Sequence, residues 1–157
     1  MINTIRYGGT GKVIKNGKEI EVPISPKEIL NFRGPFLQVT ITHPQITQEY
    51  YKQKNKDIPS VNVMAIIDTG AFSSVITPDV ADKLELVHTG YQTVTSVQDQ
   101  QKRPVFYGRI GFPWGMGKEI PLVSCPLTLY DCLIGRDILR HWHFTYNGDD
   151  GSITICD

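Results

Sequence analysis

The stretch Val63-Met64-Ala65-Ile66-Ile67 runs straight into Asp68-Thr69-Gly70-Ala71, and no other feature narrows the fold of this chain as far. A short uninterrupted apolar run bounded by turn residues reads as a strand buried on both faces. Asp-x-Gly is turn chemistry, in which the carboxylate bonds to nearby backbone amides. Ser73-Ser74-Val75-Ile76-Thr77 reads as the next strand. About half a domain later an apolar-apolar-glycine element occurs at Leu133-Ile134-Gly135, continued by Arg136-Asp137. A lone Asp-Thr-Gly fits many strand ends, but the two elements together are far harder to produce by chance.

Taken together, these residues resemble the retropepsin-like aspartic proteases, single-lobe relatives of pepsin, over roughly residues 36 to 146. The run Ala81 to Leu86 is more similar to cellular and bacterial members than to compact viral ones. The resemblance implies an all-β, closed barrel-like fold with one or two short helices. It also implies an aspartic endopeptidase acting on polypeptides, with Asp68 as the catalytic residue and no cofactor or metal. By the same resemblance Thr69 bonds across a dimer axis, Gly70 permits the tight turn and offers its carbonyl to substrate, and Ala71 leaves room beside the peptide. Leu133, Ile134 and Gly135 match the strand that crosses beneath the catalytic loop, where a side chain on Gly135 would collide with it. Arg136 matches an arginine braced by an acid four positions past the catalytic aspartate. That position here is Phe72, so the brace must differ.

The chemistry accounts for the residue types. Two carboxylates about 3 Å apart cannot both ionise, so they share one proton and hold a water between them. One member takes a proton from the water as general base while the other polarises the scissile carbonyl. The pair titrates as a unit and works in acid. Asp-Thr-Gly occurs once in 157 residues, about one domain. The second aspartate must therefore come from another copy, in a two-fold homodimer whose symmetry sets one loop against its twin.

Sixteen acids balance sixteen Lys and Arg, so no net field favours nucleic acid or a membrane surface. No apolar run approaches a bilayer span, and Met1 to Arg6 lacks a basic start followed by an apolar core. These features lead to a cytoplasmic expectation. Three cysteines, Cys125, Cys132 and Cys156, are too few for a disulfide framework and read as buried thiols. His141 and His143 would share a strand face, yet no Cys-x-x-Cys accompanies them, so no metal site is expected.

Residues 1–35 read as an N-terminal extension and 36–157 as the protease domain. Within the extension, Asn16-Gly17 is a two-residue turn signal for a hairpin over 12–22, and Ser25-Pro26-Lys27-Glu28 fits a capping box opening a short helical turn. Phe36 to Ile41 alternates as a strand that partners Val61 to Ile67. The connection from His43 through Ser60 reads as a solvated insertion, one that could instead cover the cleft edge or bind a partner. Thr77-Pro78-Asp79 opens a short helix, with Thr77 as its cap. Tyr91 to Val97 and Lys102 to Ile110 have the position of a flap hairpin with a polar tip at Gln98 to Gln101. Phe112 to Gly117 is a loop between strands, Glu119 to Pro126 and Thr128 to Ile134 supply the last core strands, and a short helix spans Arg136 to His141. The final hairpin, Phe144 to Ile155, pairs either across the dimer or with the N-terminal hairpin. Val75, Ile76 and Ile134 are expected to line apolar subsites. A non-catalytic dimeric module that holds extended peptide by strand addition is the competing reading.

Overall fold

The computed structural model describes residues 1–15, 18–95 and 100–157. Contacts divide it into two compact units, Met1–Phe36 with His141–Asp157, and Leu37–Arg140. The sequence reading carries the main domain through to residue 157, whereas by contact residues 141–157 pack with the N-terminal segment.

In the first unit, β1 (Ile2–Arg6) lies antiparallel to β12 (Ser152–Cys156), which pairs on its other side with β11 (His143–Asn147). The final hairpin thus pairs within the chain, but with the strand Ile2–Arg6 and not with the expected N-terminal hairpin, whose strands pair with each other. A second ladder joins β2 (Gly9–Lys15) to β3 (Lys18–Ile24), a longer hairpin than 12–22, in a register that sets Lys15 opposite Lys18. The expected Asn16-Gly17 turn lies outside the described residues. Helix α1 (Pro26–Arg33) begins with the expected capping box: Ser25 Oγ accepts from the Glu28 amide at 3.3 Å while the Glu28 carboxylate accepts from the Ser25 amide at 3.1 Å. Its Leu30 is fully buried, as are Ile153 and Ile155. Gly151 has φ +68°, and a Cβ there would come within 2.1 Å of the Pro26 carbonyl carbon, so the approach to α1 requires glycine.

In the second unit, the strands are β4 (Phe36–Thr42), β5 (Ser60–Ile67), β6 (Val75–Ile76), β7 (Val87–Thr95), β8 (Gln100–Gly111), β9 (Gly117–Ser124) and β10 (Cys132–Ile134). They pair in the order β4-β5-β10-β6-β9-β8-β7, and β4 also pairs with β8, so six strands return on themselves. The fold is all-β, with short helices α2 (Gln45–Gln53), α3 (Pro78–Lys83) and α4 (Arg136–Leu139). Fully buried Val39, Ile41, Ile76, Ile110, Leu122, Val123, Cys132, Ile134 and Ile138 form its core.

Several local expectations change. β5 is not buried on both faces: Val63, Ala65 and Ile67 are buried while Met64 and Ile66 are partly exposed. Residues 45–53 form a helix inside the segment read as a loop, and its first amide, Gln45, donates to the Glu119 carboxylate of β9 at 2.7 Å. Thr77 sits at the start of α3 but its side chain makes no capping bond. Of the strand expected over Thr128 to Ile134, only Cys132–Ile134 forms.

Candidate active site

The geometry begins where β5 ends. Parallel pairing sets Ala65, Ile66 and Ile67 opposite Cys132, Leu133 and Ile134, and the ladder continues one residue further, as the Asp68 amide donates to the Ile134 carbonyl at 3.0 Å. The chain then turns: the Ala71 amide donates to the Asp68 carbonyl at 3.3 Å, and the Gly70 amide donates to Asp68 Oδ1 at 2.8 Å. The carboxylate is therefore oriented by its own turn while remaining partly exposed. Thr69 and Gly70 are exposed and Ala71 partly so.

Gly70 has no positive φ. What it supplies is room, because a Cβ there would stand 3.1 Å from Asp68 Oδ1. Conformational freedom is thus not the reason for glycine at this position, contrary to the expectation.

The far side of the turn is fixed by the segment after β10. The Arg136 amide donates to the Ala71 carbonyl at 3.0 Å and the Asp137 amide to the Phe72 carbonyl at 3.2 Å. A Cβ on Gly135 would meet the Ser73 carbonyl carbon at 2.6 Å and its oxygen at 2.7 Å, so these backbones touch. Leu133, Ile134 and Gly135 are thereby brought against the acid-bearing turn.

Sequence reasoning gave Asp137 no role, yet its side chain is the most connected group here. Its Oδ2 accepts from the Ser74 amide at 2.8 Å, and its Oδ1 accepts from Ser74 Oγ at 2.7 Å and from the Ile138 amide at 2.9 Å. Ser74 Oγ in turn accepts from the Gly135 amide at 3.1 Å. Arg136 is exposed, and among the described residues its guanidinium forms no ion pair. Phe72, at the position where the resemblance implies an acidic brace, is 73% exposed.

The hairpin of β7 and β8 reaches the same place, since Gln92 Nε2 donates to Ser73 Oγ at 3.0 Å. Residues 96–99, most of the expected tip, lie outside the described residues. Ile76 and Ile134 are fully enclosed in the core and cannot line a subsite; Val75 is partly exposed. Among the described residues no group of three or more His, Cys, Asp or Glu side chains could hold a metal ion. Burial pushes the Cys132 thiol up to about 12, with help from the charge of Asp137, so it is no nucleophile.

No protein-family model matches the sequence, and no curated protein matches it. Among solved structures, the chain is similar to a foamy viral protease-reverse transcriptase in complex with an RNA/DNA hybrid, at 15% identity and a TM-score of 0.46, over 69% of this chain and 12% of that one. It is also similar to a retropepsin-like aspartic protease from Rickettsia conorii, at 16% identity and a TM-score of 0.44, over 77% of this chain and 91% of that one.

Proposed function

We propose that this chain is an aspartic endopeptidase whose catalytic pair consists of two Asp68 carboxylates, one from each subunit of a homodimer. The observation that carries this reading is the Asp68 turn. An outward carboxylate has one oxygen fixed by the Gly70 amide, on a loop tied down by Ile134 on one side and Arg136 and Asp137 on the other. Such preorganisation is what a general base needs, since a misplaced group forfeits most of its rate advantage. One carboxylate cannot both activate water and polarise a carbonyl, and Asp-Thr-Gly occurs once in the chain, so a second copy completes the site.

In the dimer one Asp68 is protonated and hydrogen-bonds the scissile carbonyl of a polypeptide, while the other draws a proton from the water held between them. The exposed hydroxyl of Thr69 lies beside the pair, free to bond across the axis. The β7–β8 hairpin, tied to the turn where Gln92 bonds Ser73, closes over the substrate and excludes water. No metal or cofactor takes part.

The test is digestion of a denatured-protein mixture at about pH 4 to 6, the range in which a shared-proton pair works, with wild type beside Asp68→Asn. Cleavage by wild type and none by the variant supports the reading. Equal cleavage by both refutes it, and peptide binding without cleavage by either favours the non-catalytic module.

A further inference from the structure

We propose that Asp137 is a positioning residue for catalysis, acting through Ser74 to set where Asp68 stands; this rests on the function proposed above. Three groups point at the Asp137 carboxylate, the Ser74 amide, the Ser74 hydroxyl and the Ile138 amide, and all three are donors. The hydroxyl has no choice of direction. Its oxygen already accepts from the Gly135 amide, so its single proton goes to Asp137.

The chain of bonds therefore runs one way, from Gly135 through Ser74 to Asp137. It joins the residue whose backbone presses on Ser73 to the segment that leaves the catalytic turn. The Asp137 amide holds the Phe72 carbonyl at the same time, so one residue grips the loop by main chain and by side chain. Ser74 is fully buried, which leaves water no place to substitute for a lost partner.

An amide in place of the carboxylate, as in Asp137→Asn, cannot reproduce this. If its nitrogen took the place of Oδ2 it would face the Ser74 amide, donor against donor, and if it took the place of Oδ1 it would face both the hydroxyl and the Ile138 amide. Relief requires the 72–74 segment to move, and Asp68 with it. A shift of about 1 Å at a catalytic group costs on the order of 100-fold in rate.

The experiment compares wild type, Asp137→Asn, Ser74→Ala and the double variant on one peptide. Assays are run at a temperature where circular dichroism shows every variant folded and sedimentation shows equal dimer. The expected result is a fall in kcat of roughly 10- to 100-fold for each single variant, KM within about threefold, and a double variant no worse than the poorer single, as coupled residues give. Amide chemical shifts should move at residues 68–74 and at Val123, whose amide donates to the Ser74 carbonyl, and stay put in β8. An Asp137→Asn protein with wild-type kcat overturns the proposal, as does a double variant whose losses multiply. If wild type itself cleaves nothing, the proposed function fails on its own. The amide shifts still decide the positioning claim: movement at Asp68 and Gly70 upholds it, and shifts confined to Asp137 and its immediate bonded partners reject it.

Discussion

Replacing Gly135 by alanine isolates the contact between β10 and the acid-bearing turn. Gly135 has φ −94° and ψ −175°, ordinary extended backbone, so glycine is not needed there for its conformation. Taken alone, the methyl would favour folding by about 0.4–1 kcal/mol through the unfolded chain. Sterics decide otherwise. The new Cβ would lie 2.6 Å from the Ser73 carbonyl carbon, 2.7 Å from its oxygen and 3.0 Å from the Ser74 nitrogen, and all three are backbone atoms that no rotamer change can withdraw. Contacts between carbons sit near 3.5–4 Å, so about an ångström of movement is required. Overpacking of this kind costs roughly 1–3 kcal/mol, and about 2 kcal/mol at the middle of that range leaves a net loss of about 1–2 kcal/mol after the unfolded-state gain. At about 2–4 °C per kcal/mol for a chain of this size, thermal unfolding should come down by roughly 2–8 °C. Gly70→Ala is the control: its Cβ would meet only Asp68 Oδ1, at 3.1 Å, the movable end of a side chain. That variant should unfold within about 0.5 kcal/mol of wild type while losing cleavage activity, because the carboxylate is pushed aside. A Gly135→Ala protein at least as stable as wild type would refute the reasoning.

Two further outcomes follow from titratable groups. His43 is buried, with its Nε2 atom lacking a partner among the described residues, and burial holds its pKa below the usual histidine range, opposed by smaller effects of the Leu84 carbonyl and Glu85. Because the folded pKa is depressed, its contribution is fully present above the unfolded value near 6.5 and is lost as pH falls from there through the folded value. Urea titrations of wild type should lose stability across that window, and His43→Gln should lose less; identical pH dependence would contradict this. Iodoacetamide at about pH 8, followed by peptide mass mapping, should label Cys125 and Cys156, which are partly exposed, well before the fully buried Cys132. Equal labelling of all three would contradict the burial.

What could be read in the sequence was local. Ser25 and Glu28 lie three residues apart and satisfy each other's amides, so the start of α1 was visible in four letters. Asp68 at the end of an apolar run was visible for the same reason: its stabilising bond comes from Gly70, two residues away. What escaped depends on distant partners. α2 opens on Pro44, which offers no side-chain cap, and its first amide is met by Glu119, 74 residues away. The Ser74–Asp137 clamp spans 63 residues and looks in sequence like an ordinary serine and an ordinary helix-start acid. Ile76 and Ile134 stand near the turn in sequence, which suggests that they face substrate. Return of the strands on themselves puts both in the interior instead. Thr77 has the right residue type and position for a cap, but its buried hydroxyl finds no partner among the described residues.

The central claim is that one chain carries half a catalytic pair. Specific activity measured against protein concentration, alongside sedimentation equilibrium on the same samples, tests it most directly. The account predicts that activity per milligram rises with concentration in step with the fraction at twice the 17.7 kDa of one chain, then levels off. Constant specific activity from a species that stays at 17.7 kDa throughout would contradict it.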